Sequence, residues 1–388
     1  MRSYKAHFQK FLSADPKRIH FAAHSHHYWP DVSFDAHVKA WTDAATLADD
    51  KWDRVFGKLY PRCQRHVARV LRLPDPSTIA FAPNTHELVM RVFSCLPSRM
   101  FWASGHDREP LRVLTTDGEF HSFARQLARF EEEKIVQVVR VPTRPFDTFV
   151  QRFTAAARKD FFALVYLSQV FFDSGWALRD LDWLEHLAEQ VIVIDGYHAF
   201  SAIDVDLSKL ASRIFYVAGG YKYAMSGEGA CFLHAPPGQF PRPVDTGWFA
   251  AFFAMEEKQA GVPYAEDGSR FLGATFDPSG LYRFDAVMSW LEREGVTARD
   301  VDERAKALQA LFLEEARDLP LGELLATDDR RGSFLAFESA RAKELHDLFA
   351  SRNVVTDVRG DRLRIGFGLY HDESDVLEGV RRMSEALG

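Results

Sequence analysis

The sequence predicts an α/β protein built on a mainly parallel sheet, and two observations lead to this prediction. Short apolar segments typical of buried strands occur at 112–116, 135–141, 161–167 and 191–194. Amphipathic segments typical of helices separate most of them, at 121–133, 147–158 and 179–189. Parallel strands need crossovers of this kind, and the crossover helices cover both faces of the sheet.

The composition indicates a well-packed protein and excludes several functional classes. Hydrophobic residues make up 47% of the 388 positions and aromatic residues 13%, which is enough for a large core. The net charge of -7 argues against non-specific nucleic-acid binding. Three cysteines are too few for a disulfide framework or a zinc knuckle. Without a signal-peptide pattern or an apolar run near ~18 residues, we expect a cytoplasmic protein with no membrane partner.

The N-terminal part combines an arm, a histidine-rich turn region and helices. Residues 1–18 form a short amphipathic arm, and apolar spacing predicts helix over 34–72. Residues 77–96 read as a strand followed by a helix, with Asn84 as N-cap and Glu87 completing a capping box.

The pattern changes after about residue 240 and then predicts a separate α+β unit. Helices are expected at 280–294, 301–317, 341–351 and 374–387. Strands are expected at 333–337, 353–359 and 362–369. We therefore predict a large domain over 19–270 and a small domain over 271–388, joined by the arm 1–18.

One acid and one lysine point to the chemistry of the large domain. Asp195 follows the strand "VIVI", and the strand-like "SRIFYVAGG" brings Lys222 to the same edge of the sheet, where α/β proteins bind ligands. Taken singly, Asp195 is most simply a structural acid and Lys222 a solvated surface lysine. Together they suit pyridoxal 5'-phosphate: the lysine forms a Schiff base with its aldehyde and the aspartate pairs with its ring nitrogen.

The surrounding motifs carry a family resemblance. The segment "DGYH … YVAGGYKYAMSGEGA" resembles the cofactor site of class V aminotransferases, which are fold-type I enzymes dependent on pyridoxal phosphate. The "DxxH" and "YKY" forms are most similar to the kynureninase branch. The resemblance implies a seven-stranded sheet, a homodimer with active sites at the interface, and a small-molecule substrate that is an amino acid.

The resemblance also implies residues that hold the cofactor's phosphate. In "PNTHE" at the start of a helix, backbone amides and a hydroxyl face an anion. "GWF" resembles a kynureninase motif, and "FLGATFDPSG" resembles a segment that crosses the dimer interface to the partner's phosphate. The implied phosphate ligands are Asn84, Thr85, His86, Tyr221, Trp248 and Thr275.

Other positions correspond to residues around the cofactor ring. Phe120 in "TTDGEFHSF" is the stacking ring by similarity, with His121 as the rival. "LSQVFFDSG" offers Ser168 and Gln169 as ligands of the ring hydroxyl. His198 stands where kynureninase-like proteins have a histidine near that hydroxyl or the phosphate.

Substrate recognition requires a cation for the α-carboxylate. In "RGDRLRIGFG", Leu363 and Ile365 share one strand face while Arg362 and Arg364 share the other. By similarity Arg364 is the carboxylate clamp, because a guanidinium pairs with two oxygens at once, and Arg359 is a second candidate.

The histidine-rich segment does not carry a metal motif. It has no nearby acid and no recognised ligand spacing, so we expect no metal and interpret the segment as part of a pocket. Its histidines are His20, His24, His26 and His27.

Three functions remain open within this resemblance. Cysteine desulfurases are disfavoured, because residues 338–388 contain no cysteine to act as nucleophile. A class V aminotransferase is the first hypothesis. A kynureninase-like hydrolase that cleaves a Cβ–Cγ bond is the second, although "FHSF" and "HSHH" replace that branch's "FPTD" and "NSLG". A non-catalytic protein that binds the cofactor is the third.

Overall fold

A computed structural model describes residues 1–96, 109–187, 190–238, 241–252 and 261–388. Its strands are β1 (Ile19–His20), β2 (Ile79–Ala82), β3 (Leu111–Thr116), β4 (Val136–Val141), β5 (Leu164–Ser168), β6 (Val191–Asp195), β7 (Phe215–Gly219), β8 (Cys231–His234), β9 (Glu323–Leu324), β10 (Phe334–Glu338), β11 (Val354–Val355), β12 (Asp357–Arg359) and β13 (Arg362–Gly366).

The helices lie mostly between the strands of the large sheet and in the C-terminal part. They are α1 (Gln9–Leu12), α2 (Val32–Leu47), α3 (Lys51–Arg54), α4 (Tyr60–Leu71), α5 (Thr85–Ser94), α6 (His121–Glu132), α7 (Phe149–Lys159), α8 (Ser279–Arg293), α9 (Ala298–Glu315), α10 (Ala342–Ser351) and α11 (Glu373–Leu387).

A seven-stranded sheet has the order β2-β8-β7-β6-β5-β3-β4. The five strands from β7 to β4 in this order run parallel, and β8 is antiparallel to both β7 and β2. Every residue of β5 and β7 is buried. The prediction of a mainly parallel seven-stranded sheet of fold type I is therefore confirmed.

The C-terminal part has its own sheet and its own apolar cluster. The strand order is β12-β13-β10-β9, and all neighbouring pairs are antiparallel. The side chains of Phe312, Leu335, Phe349, Leu363 and Met383 pack together in this cluster. β1 pairs in parallel with β11, so the segment that follows the N-terminal arm attaches to this part of the chain.

Two helix predictions were wrong in detail. The helix predicted over 34–72 is interrupted after α2, where Ala48 has a φ of 49° and Asp49 and Asp50 start the next helical turn, a position that favours acids. The helix predicted over 179–189 is a short 3₁₀ segment, Asp182–His186, since the Asp180 carboxylate accepts the Asp182 N–H. Positions 188 and 189 lie outside the described residues.

In the part of the chain that the structure describes, none of the helices combines the length and the apolar character that a membrane crossing requires.

Candidate active site

A cavity of about 500 Å³ opens at the carboxyl ends of β5, β6 and β7. The start of α5 and strand β13 close it from other sides. Most of the predicted site residues line this cavity, namely Asn84, Thr85, Phe120, Ser168, Asp195, His198, Tyr221, Lys222 and Arg364. The second carboxylate-clamp candidate, Arg359, lines it as well.

Lys222 follows β7 and points its amine at the N-terminal segment and at one histidine. Its Nζ donates to the His24 carbonyl oxygen at 3.0 Å and lies 2.5 Å from His198 Nε2. Burial, and secondarily the charge of Arg364, lowers the pKa of Lys222 well below its ordinary value. A neutral amine is the form that attacks a carbonyl, so this lysine is suited to covalent catalysis.

His198 is buried and shares the same environment. Burial, followed by the nearby Lys222 charge, lowers the pKa of His198 well below its ordinary value. The ring is therefore neutral and can accept a hydrogen from the lysine amine, which fixes where that amine points.

Asp195 ends β6 with its carboxylate held by two hydrogen bonds. The Tyr166 hydroxyl donates to Oδ2 and the Tyr197 backbone N–H donates to Oδ1, each at 2.9 Å. Burial raises the pKa of Asp195 despite these donors and the opposing charge of Lys222. A buried carboxylate of this kind is stabilised by any cation that enters the cavity beside it.

The start of α5 borders the cavity through Asn84 and Thr85, and the first backbone N–H groups of a helix have no partner within the helix, which suits them to an anion. Asn84 is the N-cap, and its Oδ1 accepts the Glu87 N–H at 3.0 Å, as predicted. The capping box takes another form, because Asn84 Nδ2 donates to Glu87 Oε1 at 2.9 Å. The Asn84 side chain is thus committed to the helix. His86 lines a neighbouring hollow with Thr85.

The two rings proposed for stacking occupy different positions. Phe120 lines the cavity and is 40% exposed, whereas His121 is not among the residues that line it. Phe172 contacts both rings, at centroid distances of 5.5 Å and 4.9 Å. An apolar ring that faces the cavity suits a stacking role, so the geometry favours Phe120.

Ser168 and Gln169 were predicted as a pair but face different surroundings. Ser168 ends β5 and lines the cavity. Gln169 is 1% exposed and its Oε1 accepts from the Tyr216 hydroxyl at 2.7 Å, behind the cavity wall. The structure therefore brings Ser168 to the site and places the Gln169 side chain away from it.

Of three further predicted phosphate ligands, one lines the cavity and two do not. Tyr221 lines the cavity, and its hydroxyl is 2.8 Å from His26 Nδ1. Trp248 and Thr275 are not among the lining residues; they contact each other, with Trp248 Nε1 donating to Thr275 Oγ1 at 3.2 Å. Trp248 is 42% exposed. The structure thus brings the pair together at an exposed position outside this cavity.

Arg364 belongs to a buried cluster around one aspartate. Asp357 Oδ2 pairs with the Arg364 guanidinium, and Asp357 Oδ1 lies 2.9 Å from Arg359 Nη1. His24 Nε2 is 3.5 Å from Asp357 Oδ2, and burial lowers the pKa of His24 to about 3, so that ring is neutral. Two guanidinium charges therefore face one carboxylate, which leaves a net positive charge at the cavity wall.

Replacing Asp357 by asparagine should destabilise the fold at neutral pH. Burial opposes ionisation, but His24 and the two arginines hold the pKa of Asp357 well below its ordinary value. Breaking such a pair costs about 3 kcal/mol. Asp357→Asn should therefore lower the free energy of unfolding by that amount at pH 7, measured by urea denaturation.

The pH dependence follows from the depressed pKa. The contribution of Asp357 is fully present above its unfolded pKa of about 3.9 and is lost as pH falls through the folded value, so wild type and variant should converge in acid. Asp318→Asn is the control, because Asp318 has a side chain that is 92% exposed. An Asp357 variant as stable as this control would contradict the interpretation.

The histidine-rich segment borders the cavity through Ser25. Among the residues that the structure describes, no group of three or more histidine, cysteine, aspartate or glutamate side chains is arranged to hold a metal ion. His20 Nδ1 is 2.7 Å from the Tyr370 hydroxyl, and His27 Nδ1 is 2.7 Å from the Tyr28 carbonyl oxygen. These rings pack the segment against the rest of the protein.

Several residues of the site escaped the sequence analysis. Tyr166 and Tyr197 hold Asp195, Asp357 holds Arg364, and Glu119 holds Ser168. Each lies within three residues of a predicted site residue or on the adjoining strand. Alternation along β5 could have signalled Tyr166, two residues before Ser168, but the Asp357 contact depends on strand pairing with β13.

The cavity fits pyridoxal phosphate by the chemistry of its donors. A buried amine with a lowered pKa, a buried carboxylate, a helix N-terminus and an exposed aromatic ring border one space. Gly219 lets two lining residues pack closely against β7, because a Cβ there would lie 2.6 Å from Cys231 Sγ and 2.9 Å from the Tyr197 hydroxyl. Lys222 and Asp195 both line this space.

Comparison with protein families finds a match for one part of the chain. Residues 301–383 match the model of the kynureninase C-terminal domain. This segment contains β13 and three members of the Asp357 cluster, namely Asp357, Arg359 and Arg364. The search of curated proteins found no match for the chain.

Comparison with solved structures covers the whole chain. A mutant of C-DES with glycine covalently linked to its pyridoxal phosphate cofactor has a TM-score of 0.82 and 16% identity, covering 99% of this chain and 100% of that one. The cystine C–S lyase C-DES with its product cysteine persulfide has a TM-score of 0.78 and 16% identity, covering 97% and 99%.

A third neighbour is the cysteine desulfurase CsdA from Escherichia coli, with a TM-score of 0.80 and 18% identity, covering 99% of this chain and 97% of that one. At these identities the likeness establishes the fold. Together with the kynureninase domain match, it confirms the predicted resemblance to the class V family. The predicted cofactor is the one named for the C-DES mutant.

Proposed function

We propose that this chain is an enzyme of the class V fold that uses pyridoxal 5'-phosphate to act on an α-amino acid, with transamination as the first candidate reaction. One observation carries the proposal. The buried amine of Lys222, the buried carboxylate of Asp195 and the guanidinium of Arg364 line a single cavity. These are the three groups needed to bind the aldehyde, the ring nitrogen and the substrate carboxylate.

Lys222 and His198 supply the acid–base chemistry of the proposal. When bound, the cofactor supplies an electron-accepting ring that stabilises negative charge at the substrate's α carbon. The Lys222 amine, whose pKa is lowered by burial, takes the proton from that carbon and returns it to an adjacent carbon. His198, 2.5 Å from Nζ, orients the amine for both transfers.

Asp195 has a separate task in the proposal. Its carboxylate faces the position of the ring nitrogen and would keep a proton on it. The Tyr166 hydroxyl and the Tyr197 N–H fix the orientation of the carboxylate. Because burial disfavours a lone negative charge, the Asp195 carboxylate is stabilised most when the ring nitrogen is positively charged.

The substrate carboxylate is assigned to Arg364, assisted by Arg359. Asp357 neutralises one of the two guanidinium charges, so the remaining charge matches one carboxylate. The side chains of Phe120 and Phe172 add apolar surface to the cavity wall beside this charge. This combination supports an α-amino acid as substrate.

Kynureninase-type hydrolysis is the second candidate. The kynureninase domain match covers Asp357, Arg359 and Arg364. Tyr221 lines the cavity with its hydroxyl 2.8 Å from His26 Nδ1, and in this candidate reaction the pair of proton donor and acceptor directs a water molecule. A desulfurase mechanism has less support. Cys231 lines the cavity, but burial raises the pKa of its thiol to about 12, so it is not a ready nucleophile.

We further propose a cytoplasmic homodimer. Trp248 and Thr275 support the dimer, since their exposed pair lies outside this cavity and is free to meet a partner's site. Light scattering coupled to size exclusion tests the dimer. The division at residue 270 stays a prediction, which limited proteolysis tests.

A panel of amino acids separates the candidate reactions. The cofactor-loaded protein is incubated with each amino acid while its visible spectrum is recorded. Conversion of the cofactor to its amine form indicates transamination, and release of anthranilate from kynurenine indicates hydrolysis. An unchanged spectrum with every amino acid would support the non-catalytic alternative instead.

A further inference from the structure

Glu119 is a buried carboxyl group immediately behind the cavity wall, and the proposed reaction gives it no role. It is 5% exposed. Its Oε2 lies 2.7 Å from Ser168 Oγ, and its Oε1 lies 2.6 Å from Thr116 Oγ1 and 3.3 Å from the Ser168 backbone nitrogen. Ser168 is thus the link between this carboxyl group and the cavity.

The two carboxyl oxygens of Glu119 have different partners. Oε1 faces the Ser168 N–H, which can only donate, and the Thr116 hydroxyl; it is therefore the accepting oxygen. Oε2 faces only the Ser168 hydroxyl in the hydrogen bonds that the structure describes. If the carboxyl group carries a proton, Oε2 is where that proton lies, and it is donated to Ser168 Oγ.

The surroundings favour the protonated form near neutral pH. Burial raises the pKa of Glu119 to about 8. The charge of Asp195 raises this pKa as well, whereas the hydrogen bonds from Thr116 and Ser168 lower it. The titratable groups that face it are the Asp195 carboxylate on β6 and the Tyr166 hydroxyl on β5. Neither supplies a positive charge that would stabilise an ionised glutamate.

The state of Glu119 decides what Ser168 offers to the cavity. An ionised carboxylate only accepts, so the Ser168 hydroxyl hydrogen points at Glu119 and only its lone pairs face the cavity. A neutral carboxyl group donates to Ser168 and frees that hydrogen to point into the cavity. The phenolic oxygen of pyridoxal phosphate, when ionised, requires a donor.

We propose that Glu119 is a positioning residue that turns Ser168 into a hydrogen-bond donor toward the cofactor's phenolic oxygen. This inference rests on the proposed function, because it assumes that the cofactor occupies the cavity. The cofactor should then bind tightly while Glu119 is neutral, and its affinity should weaken by about tenfold when Glu119 ionises and the donor is lost.

The test compares the pH dependence of cofactor affinity in wild type, Glu119→Gln and Ser168→Ala, measured by titration of the visible absorbance. In wild type, the affinity for the cofactor should fall as pH rises through the pKa of Glu119, and this fall is the expected break. The glutamine amide donates at every pH, so Glu119→Gln should match wild type at pH 6.5–7 (roughly one unit below that pKa) and lack the break. Ser168→Ala should bind more weakly throughout and also lack it.

Glu133→Gln, on an exposed helix end, is the matched control and should retain the wild-type profile. A break that persists unchanged in Glu119→Gln or in Ser168→Ala overturns the inference while the cofactor assignment stands. If Glu119→Gln does not fold, Ser168→Ala alone decides the matter. Failure of wild type to bind the cofactor at all would instead overturn the proposed function.

Discussion

Replacing Lys222 by alanine is expected to abolish the covalent link to the cofactor and to reduce turnover of any amino acid substrate by about 10³-fold or more. In the proposed reaction the same amine forms the link and carries the proton, and both tasks depend on its lowered pKa. Absorbance of the loaded protein and initial rates with the best substrate of the panel measure the two losses.

The matched control is Lys209→Ala, because the Lys209 amine pairs with Asp182 on an exposed surface. It should keep both the spectrum and the rate. Thermal unfolding should show that Lys222→Ala remains folded. The change removes a single amine, which donates to the His24 carbonyl oxygen, and leaves the packing of the strands intact. A Lys222→Ala protein that still forms a covalent link through another lysine would refute the assignment.

Replacing Arg364 by alanine is expected to act mainly on KM. Loss of one charged pair with the substrate carboxylate is worth about 2–4 kcal/mol, which corresponds to about 30- to 1000-fold in kcat/KM. Arg364→Lys keeps the charge but loses the planar fork, so it should recover only part of this effect. Steady-state kinetics with the panel's best substrate measures each variant.

Arg359→Ala is the comparison for Arg364. Arg359 is more exposed and approaches the other oxygen of Asp357, so its removal should raise KM by less. Because Arg364 also holds the buried Asp357, urea denaturation is needed to separate binding from stability. A KM that is unchanged in Arg364→Ala and raised in Arg359→Ala would move the carboxylate clamp to Arg359.

The fold could be predicted from the sequence because its strands carry strong local signals. "VIVI" and "FFALVYL" are apolar runs followed by polar residues, and they correspond to β6 and β5. The break after α2 could not be predicted in this way, because it depends on the backbone of Ala48 rather than on apolar spacing. The antiparallel strand β8 was also missed, since its four residues, "CFLH", include none of the β-branched residues that mark strands.

The site could be predicted where a residue's position along a strand fixes its direction. Asp195 and Lys222 follow adjacent parallel strands, so both had to reach the same edge of the sheet. The direction of the Gln169 side chain could not be predicted, because Ser168 belongs to the same motif. Only the fold shows which of the two side chains faces the cavity. Asp357 was missed because its contact with Arg364 arises from the pairing of β12 with β13.

The central claim is that a single amine in this cavity binds the aldehyde of the cofactor. Reduction of the loaded protein with borohydride, followed by digestion and peptide mapping by mass spectrometry, tests it most directly. The account predicts that the pyridoxyl group is found on the peptide that contains Lys222. A label on another peptide, or no label on a protein saturated with pyridoxal phosphate, would contradict it.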